Sequence, residues 1–140
     1  MVKHTEIHLR TEADRDMVDI TPRVRAALES CGLQEGMVLL FVAGATGALS
    51  TIEFEPGLQR DFPELMQRLI PREQPYHHNQ TWGDGNGHSH LRATLMGPSL
   101  TIPIQAGELV LGTWQQIVFL EFDNRPRERR LIVQFMGETA

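Results

Sequence analysis

Residues 91–136, LRATLMGPSLTIPIQAGELVLGTWQQIVFLEFDNRPRERRLIVQFM, decide the fold. Five short apolar or alternating runs follow one another here: Leu91–Met96, Leu100–Ile104, Glu108–Leu111, Gln115–Phe122 and Arg130–Met136. Turn signals separate them at Gly97-Pro98, Gln105-Ala106-Gly107 and Asp123-Asn124-Arg125-Pro126. Links this short favour antiparallel pairing over crossover connections. The stretch predicts consecutive strands of a mostly antiparallel sheet.

Working outward, Val2–Arg10 alternates loosely, with Ile7 and Leu9 on one side and His8 and Arg10 on the other, the period of a half-buried strand. Asp14–Asp19 reads as a short second strand or a turn. Thr21-Pro22 predicts a helix start with Thr21 as N-cap, Val24, Leu28 and Cys31 as the buried stripe, and Gly32 as the left-handed stop. Met37–Ala43 (MVLLFVA) is a continuous apolar run and predicts a central strand buried on both faces. Leu49–Phe54 predicts another strand, and Pro56-Gly57 a turn. Leu58, Phe62, Leu65, Met66 and Leu69 keep helical spacing. Pro63 would break that pattern, so the helix is expected to restart there. The sum is an α+β domain over 1–140, with about eight mostly antiparallel strands and two helices.

Composition excludes several classes. The net charge of −5 disfavours general binding to nucleic acid or to anionic membranes. No run approaches the ~18 apolar residues of a membrane span, and the N-terminus lacks the apolar segment of a signal peptide. Cys31 is the single cysteine, so no intrachain disulfide forms, which fits the cytoplasm.

Chemistry concentrates in Tyr76–Gly97, YHHNQTWGDGNGHSHLRATLMG, which carries four of the six histidines. If the segment is extended, His88 and His90 point to one face and can share a metal ion. His78 or His77 could supply a third ligand and Asp84 a carboxylate, leaving one position open as in a catalytic zinc site. The alternative is a polar pocket in which the histidines bond one another, Asp84 and an anion. Gly83, Gly85 and Gly87 alternate with Asp84, Asn86 and His88, which suits a phosphate nest as well as a plain loop. Arg92 could grip a phosphate. The calcium-loop pattern fails, because Ser89 and Leu95 stand where glycine and glutamate are needed. Gly44-Ala45-Thr46-Gly47 lacks the lysine of a phosphate loop. Trp114 and Gln115 could line a substrate pocket, Trp114 equally a core or subunit interface. Glu121, on one strand face with Ile117 and Phe119, is either a general base or the partner of an arginine such as Arg92 or Arg129.

Several of these motifs occur together in one family. His-Ser-His-Leu at 88–91, Gly-Pro-Ser-Leu-Thr-Ile-Pro at 97–103, Gly-Thr-Trp-Gln-Gln at 112–116, Glu121, the ending Gln134–Glu138, Thr51–Gly57 and Tyr76–Asn79 resemble the secondary thiamine-phosphate synthase family, the YjbQ-like proteins. The resemblance spans about residues 20–138. It implies a small α+β homotrimer with sites near subunit boundaries. It also implies a secondary activity joining a pyrimidine pyrophosphate to a thiazole phosphate, a small phosphorylated substrate. Carried over by position, His78 and His90 are site histidines and Glu53 is the acidic residue after the upstream strand. Gly44 departs from the pattern, since many members have histidine followed by two threonines where this chain reads Gly44-Ala45-Thr46, while His88 looks additional. Either His88 replaces the missing histidine as a ligand or the metal is lost here; the expected site is a divalent ion, zinc, on His78, His88 and His90. Glu53, Asp84 and Glu121 are the candidate catalytic carboxylates, and Thr46, Asn86, Arg92, Trp114 and Gln115 contact substrate. A non-catalytic trimeric binding module and a purely structural trimer are the alternatives.

Overall fold

The computed structural model describes residues 1–13 and 16–140. In chain order the elements are β1 (Val2–Thr11), β2 (Met17–Asp19), α1 (Thr21–Cys31), β3 (Glu35–Val42), β4 (Gly47–Glu53), α2 (Pro56–Leu69), α3 (His77–Trp82), α4 (Gly87–Met96), β5 (Ser99–Gln105), β6 (Glu108–Leu109), β7 (Gln115–Glu121) and β8 (Arg127–Glu138). Of the segment expected as a short strand or turn, Asp14 and Arg15 lie outside the described residues, and Met17–Asp19 forms β2.

The strands form two antiparallel sheets, β1-β8-β3-β5-β6 and β2-β7-β4. The inner face of the larger sheet (Ile7, Val38, Leu40, Leu131, Val133, Phe135) packs with α1 against Leu49, Ile117 and Phe119 of the smaller sheet. The other face of the smaller sheet (Ala48, Val118, Leu120) packs against Met66 of α2 and Ala93 of α4. The smaller sheet is thus the middle layer. Each large apolar side chain it buries contributes about 1.5–3 kcal/mol.

Local chemistry explains the elements and several departures from expectation. Alternation produces β1, β5 and β8, each with one buried and one open face. Helix α1 ends at Gly32 in the left-handed conformation (φ 71°), as expected. Thr21 is not its cap: that position is Ile20, and the buried Thr21 hydroxyl instead accepts from the Ile117 N–H (2.7 Å). Pro56-Gly57 is the first turn of α2 rather than a connecting turn. Glu55 caps it, accepting from the Gly57 and Leu58 N–H groups at 2.8 and 2.6 Å, and proline suits this position. With that cap, and with Phe62 and Met66 packed on the smaller sheet, α2 runs unbroken through Pro63.

Two other expectations change. Leu91–Met96 is helical, part of α4, so the described residues hold four helices rather than two. Strand β3 is not buried on both faces. Val38, Leu40 and Val42 point inward, while Met37, Leu39 and Phe41 remain exposed. Where β3 meets β8, Gly36 faces Gly137. A Cβ at Gly36 would lie 2.0 Å from the Met136 carbonyl oxygen, so the close backbone approach requires glycine there.

Candidate functional site

The histidine stretch folds as two short helices joined by a bend. Gly83 closes α3 with φ 72°. Asn86 stands at the cap position of α4, and the Ser89 N–H returns to its carbonyl at 3.0 Å. The two helix starts are packed closely. Asn79 Oδ1 accepts from the Gly87 N–H at 2.9 Å, and a Cβ on Gly87 would come 2.7 Å from the Tyr76 Cβ. Glycine at 87 is what lets the helices approach.

The helix changes the geometry of the histidine pair. Residues two apart on an α-helix point about 200° apart, so His88 and His90 cannot share a face as in an extended segment. His88 is fully buried, with Nε2 3.4 Å from Ser89 Oγ. His90 faces His78 of α3, with ring centroids 4.4 Å apart and a 44° tilt. His77 is exposed, so His78 is the histidine of α3 that meets His90. Among the described residues no group of three or more His, Cys, Asp or Glu side chains could hold a metal ion. The three-histidine set does not assemble within one subunit; His78 and His90 do come together.

Burial lowers the His90 pKa, and the neighbouring His78 lowers it further. Asp123 and Asp84 pull the other way without prevailing. His90 is therefore neutral near pH 7, with a lone pair available.

Behind the histidines lies a buried polar network. Asp123, wholly buried just past β7, accepts from the Asn124 N–H (2.8 Å), Thr46 Oγ1 (3.1 Å), Arg127 Nη1 (3.1 Å) and Asn86 Nδ2 (3.4 Å). Burial would raise its pKa. The Asn124 N–H, Asn86, Thr46 and the Arg127 charge together outweigh that and hold the carboxyl below its usual range. Thr46 Oγ1 accepts from Arg129 Nη2 (2.8 Å). Arg129 grips Glu121 with two nitrogens, Nε at 2.8 Å and Nη2. Thr11 Oγ1 and the Asp123 N–H complete the Glu121 carboxylate at 2.5 and 3.0 Å. Asn86 Oδ1 and His78 Nδ1 are buried and have no hydrogen-bond partner among the described residues. An unpaired buried polar group costs about 1–3 kcal/mol.

This network reassigns several expected residues. Glu121 is not a free general base: both oxygens are taken, and Arg129 is its partner. Thr46 is buried and bonded on both sides, so it ties Asp123 to Arg129 rather than meeting substrate. Arg92 is nearly fully buried and donates through Nε and Nη2 to the Ile70 carbonyl (3.0 and 2.9 Å) and to Gln67 Oε1 (3.0 Å). It fastens the end of α2 to α4 and is not positioned to grip a phosphate. Asp84 is exposed at the rim, its carbonyl accepting from Asn124 Nδ2 (3.1 Å). Glu53, Trp114 and Gln115 lie at the opposite end of β4 and β7. Gln115 pairs with Glu53 in register and donates to Thr51 Oγ1 (3.0 Å), and Glu53 and Trp114 are exposed. Six residues of strand, about 20 Å, separate that end from Glu121, so one subunit does not bring these residues to the histidines.

Asp123 went unmarked in the sequence. The available signal was the Glu121-Phe122-Asp123 trio, where two acids close an apolar strand just before a turn.

The fold and site define a small two-sheet α+β protein with a histidine pair set against a buried amide and carboxylate. The chain belongs to the YjbQ family: the model described as UPF0047 protein YjbQ-like matches residues 5–138. A UPF0047 protein of Archaeoglobus fulgidus is 43% identical over 129 residues, covering 92% of this chain and 98% of the relative. A solved structure from Sulfolobus solfataricus, described as a YbjQ-like protein of unknown function, superposes with a TM-score of 0.88 at 34% identity, covering 99% of this chain and 100% of that one. A Clostridium acetobutylicum structure, described as an uncharacterized conserved protein of the yjbq/upf0047 family, gives 0.86 at 36% identity, covering 94% and 99%. No helix among the described residues is long and apolar enough to cross a membrane.

Proposed function

We propose that the chain is a cytoplasmic enzyme acting on a small phosphorylated molecule at the His78–His90 pair. Its reaction would be of the kind the resemblance implies, joining a pyrimidine pyrophosphate to a thiazole phosphate as a secondary activity. One observation carries this reading. Two imidazoles meet at 4.4 Å, and His78 Nδ1 and Asn86 Oδ1 are buried with no hydrogen-bond partner among the described residues. Buried polar atoms left unpaired in this way suit a ligand.

A divalent ion, zinc first, is part of the proposal, held by His78 and His90. These two imidazoles do not make a closed site, and among the described residues of one chain His88 does not join them. When bound, such an ion supplies electrophilic stabilisation of charge on phosphate oxygens. Neutral His90 contributes a lone pair, for the ion or for a proton. The homotrimer is supported by the bare outer face of the larger sheet. There Val2, Met136, Met37 and Pro103 fall on one register line across four strands, with Leu39 and Phe41 beside them. A contiguous apolar surface of this kind marks an interaction site.

A specific observation favours a second reading, a binding module without turnover. None of the three expected catalytic carboxylates is free at the histidines: Glu121 is saturated, Glu53 lies at the far strand end, and Asp84 is at the rim. Elemental analysis of protein purified without chelator, together with pyrophosphate release from the two substrates, tests both. About one zinc per chain, absent in His90→Ala, together with pyrophosphate release, supports the enzyme. Metal without release supports the module. No metal in either protein after incubation with excess zinc overturns the metal reading.

A further inference from the structure

One guanidinium nitrogen of the buried network is left over. Arg129 donates through Nε and Nη2 to Glu121 and through Nη2 to Thr46 Oγ1, whereas Nη1 makes no hydrogen bond among the described residues. Arg129 is only 4% exposed. A buried arginine ordinarily engages its N–H groups, because desolvated donors are costly to leave unpaired. Glu121 does not belong to Arg129 alone, since its oxygens also accept from Thr11 Oγ1 and the Asp123 N–H.

What lies against Nη1 is Gly44. A Cβ on Gly44 would stand 3.1 Å from it. Residues 43–45, between β3 and β4, are exposed, so the guanidinium approaches the surface under a residue with no side chain to cover it. The N–H groups of Gly44 and Ala45 donate to nothing among the described residues. The backbone does not demand this glycine, because its φ lies outside the left-handed region. Nor does strand pairing, as it does at Gly36. Charged and neutral donors therefore meet at an exposed loop, with the charged one held in place from below by Glu121 and Thr46.

We infer that Arg129 Nη1 and the Gly44–Ala45 N–H groups form a binding subsite for a phosphate group. Phosphate oxygens take charge-assisted bonds from a guanidinium and further bonds from backbone N–H groups. Gly44-Ala45-Thr46-Gly47 has no lysine, and the fold brings a cation to it from β8 instead. Arg92, the residue expected to grip a phosphate, is spent on the Ile70 carbonyl and Gln67. Thr46 and Glu121 aim the guanidinium and are positioning residues. Asp123 and Glu121 balance the charges of Arg127 and Arg129, so the attraction is local and the affinity modest. The subsite deepens the proposed reading by naming what holds the phosphorylated molecule. It rests on that reading for the ligand's identity and not on the His78–His90 pair.

The test is calorimetric titration of the full chain with inorganic phosphate and with pyrophosphate, with thermal unfolding alongside. Wild type binds one of them with a Kd of about 1 mM or tighter. Gly44→Val, which crowds Nη1 from an exposed loop, weakens binding by about tenfold or more with the melting temperature unchanged. Arg129→Lys keeps a cation for Glu121, lacks Nη1, and loses binding likewise. If Arg129→Lys fails to fold, Gly44→Val still decides: an affinity within about threefold of wild type overturns the inference. His90→Ala keeps phosphate affinity; loss there while Gly44→Val binds normally places the anion at the histidines and overturns the inference. Acetate at equal concentration leaves phosphate bound, and acetate that displaces it overturns the assignment to phosphate. No binding of either anion by wild type at about 10 mM overturns the subsite outright. Phosphate binding that Gly44→Val abolishes, without pyrophosphate release from the two substrates, upholds the subsite and overturns the enzyme reading alone.

Discussion

Strands β3 and β7 carry much the same side chains, and only β7 is covered on both faces. In β7, Ile117 and Phe119 enter the core under the larger sheet, while Val118 and Leu120 pack toward α2 and α4. In β3, Val38, Leu40 and Val42 are buried, but Met37, Leu39 and Phe41 are 45%, 36% and 41% exposed. An antiparallel sheet with one face in water normally places polar residues there. The outer face of β3 does not, and its neighbour Met136 is 49% exposed. An apolar run therefore reports a strand of the sheet, without saying whether both of its faces are covered.

The sharpest way to break this comparison is to cut into each strand in turn. Phe119→Ala removes a fully buried ring that also lies under the Arg129 guanidinium (5.7 Å). It should lower unfolding free energy by about 3–5 kcal/mol, read from urea titrations of the purified protein. A loss below about 1 kcal/mol would mean the core around β7 collapses to fill the space, and the strand is less tightly held than its burial suggests.

On β3, Leu39→Glu should act differently. It introduces a charge on the outer face and leaves the inner face intact. The subunit should stay folded by circular dichroism while light scattering shows the assembly dissociating. If the variant unfolds instead, the face is closed by this chain's own residues. If wild type is already monomeric, the bare face has some other partner and the homotrimer fails.

Much of this architecture was legible because strand periodicity is local. β1, β5, β7 and β8 emerge from alternation and turn residues alone. The failures are physical rather than accidental. Leu91–Met96 is a short apolar run, ambiguous between strand and helix. What settles it is the tight Gly87 packing and Ala93 buried against the smaller sheet. Only the packing of α3 on α4 shows that His90 meets His78 and leaves His88 in the interior. The Asp123 network joins residues 4, 37 and 77 positions away in sequence, Arg127, Asn86 and Thr46, so no window could display it. Glu121 shows the reverse case. The sequence allowed a base or an arginine partner, and burial beside Arg129 decides for the partner.

The mildest test concerns where the two strands lead. β3 runs into exposed residues 43–45, whereas β7 runs into the buried Glu121–Asp123 end and, through Asn86, toward His90. The covered strand should therefore feel acid first. His90 has its folded pKa below 6.5, so under mildly acidic conditions the unfolded chain binds more protons there than the folded one. Stability then rises with pH and falls as pH drops below about 6.5, with the loss complete beneath the folded pKa. Asp123 has the same sign in a lower window. Its folded pKa lies below 3.8, so its stabilisation is present above that value and lost as pH falls through the folded pKa. Urea midpoints for wild type and His90→Gln between pH 8 and 5 read the first window. The wild-type midpoint should decline on acidification, and the variant's decline should be shallower. Parallel curves would assign the acid sensitivity to other groups and uncouple the histidine pocket from the cooperative core that β7 organises.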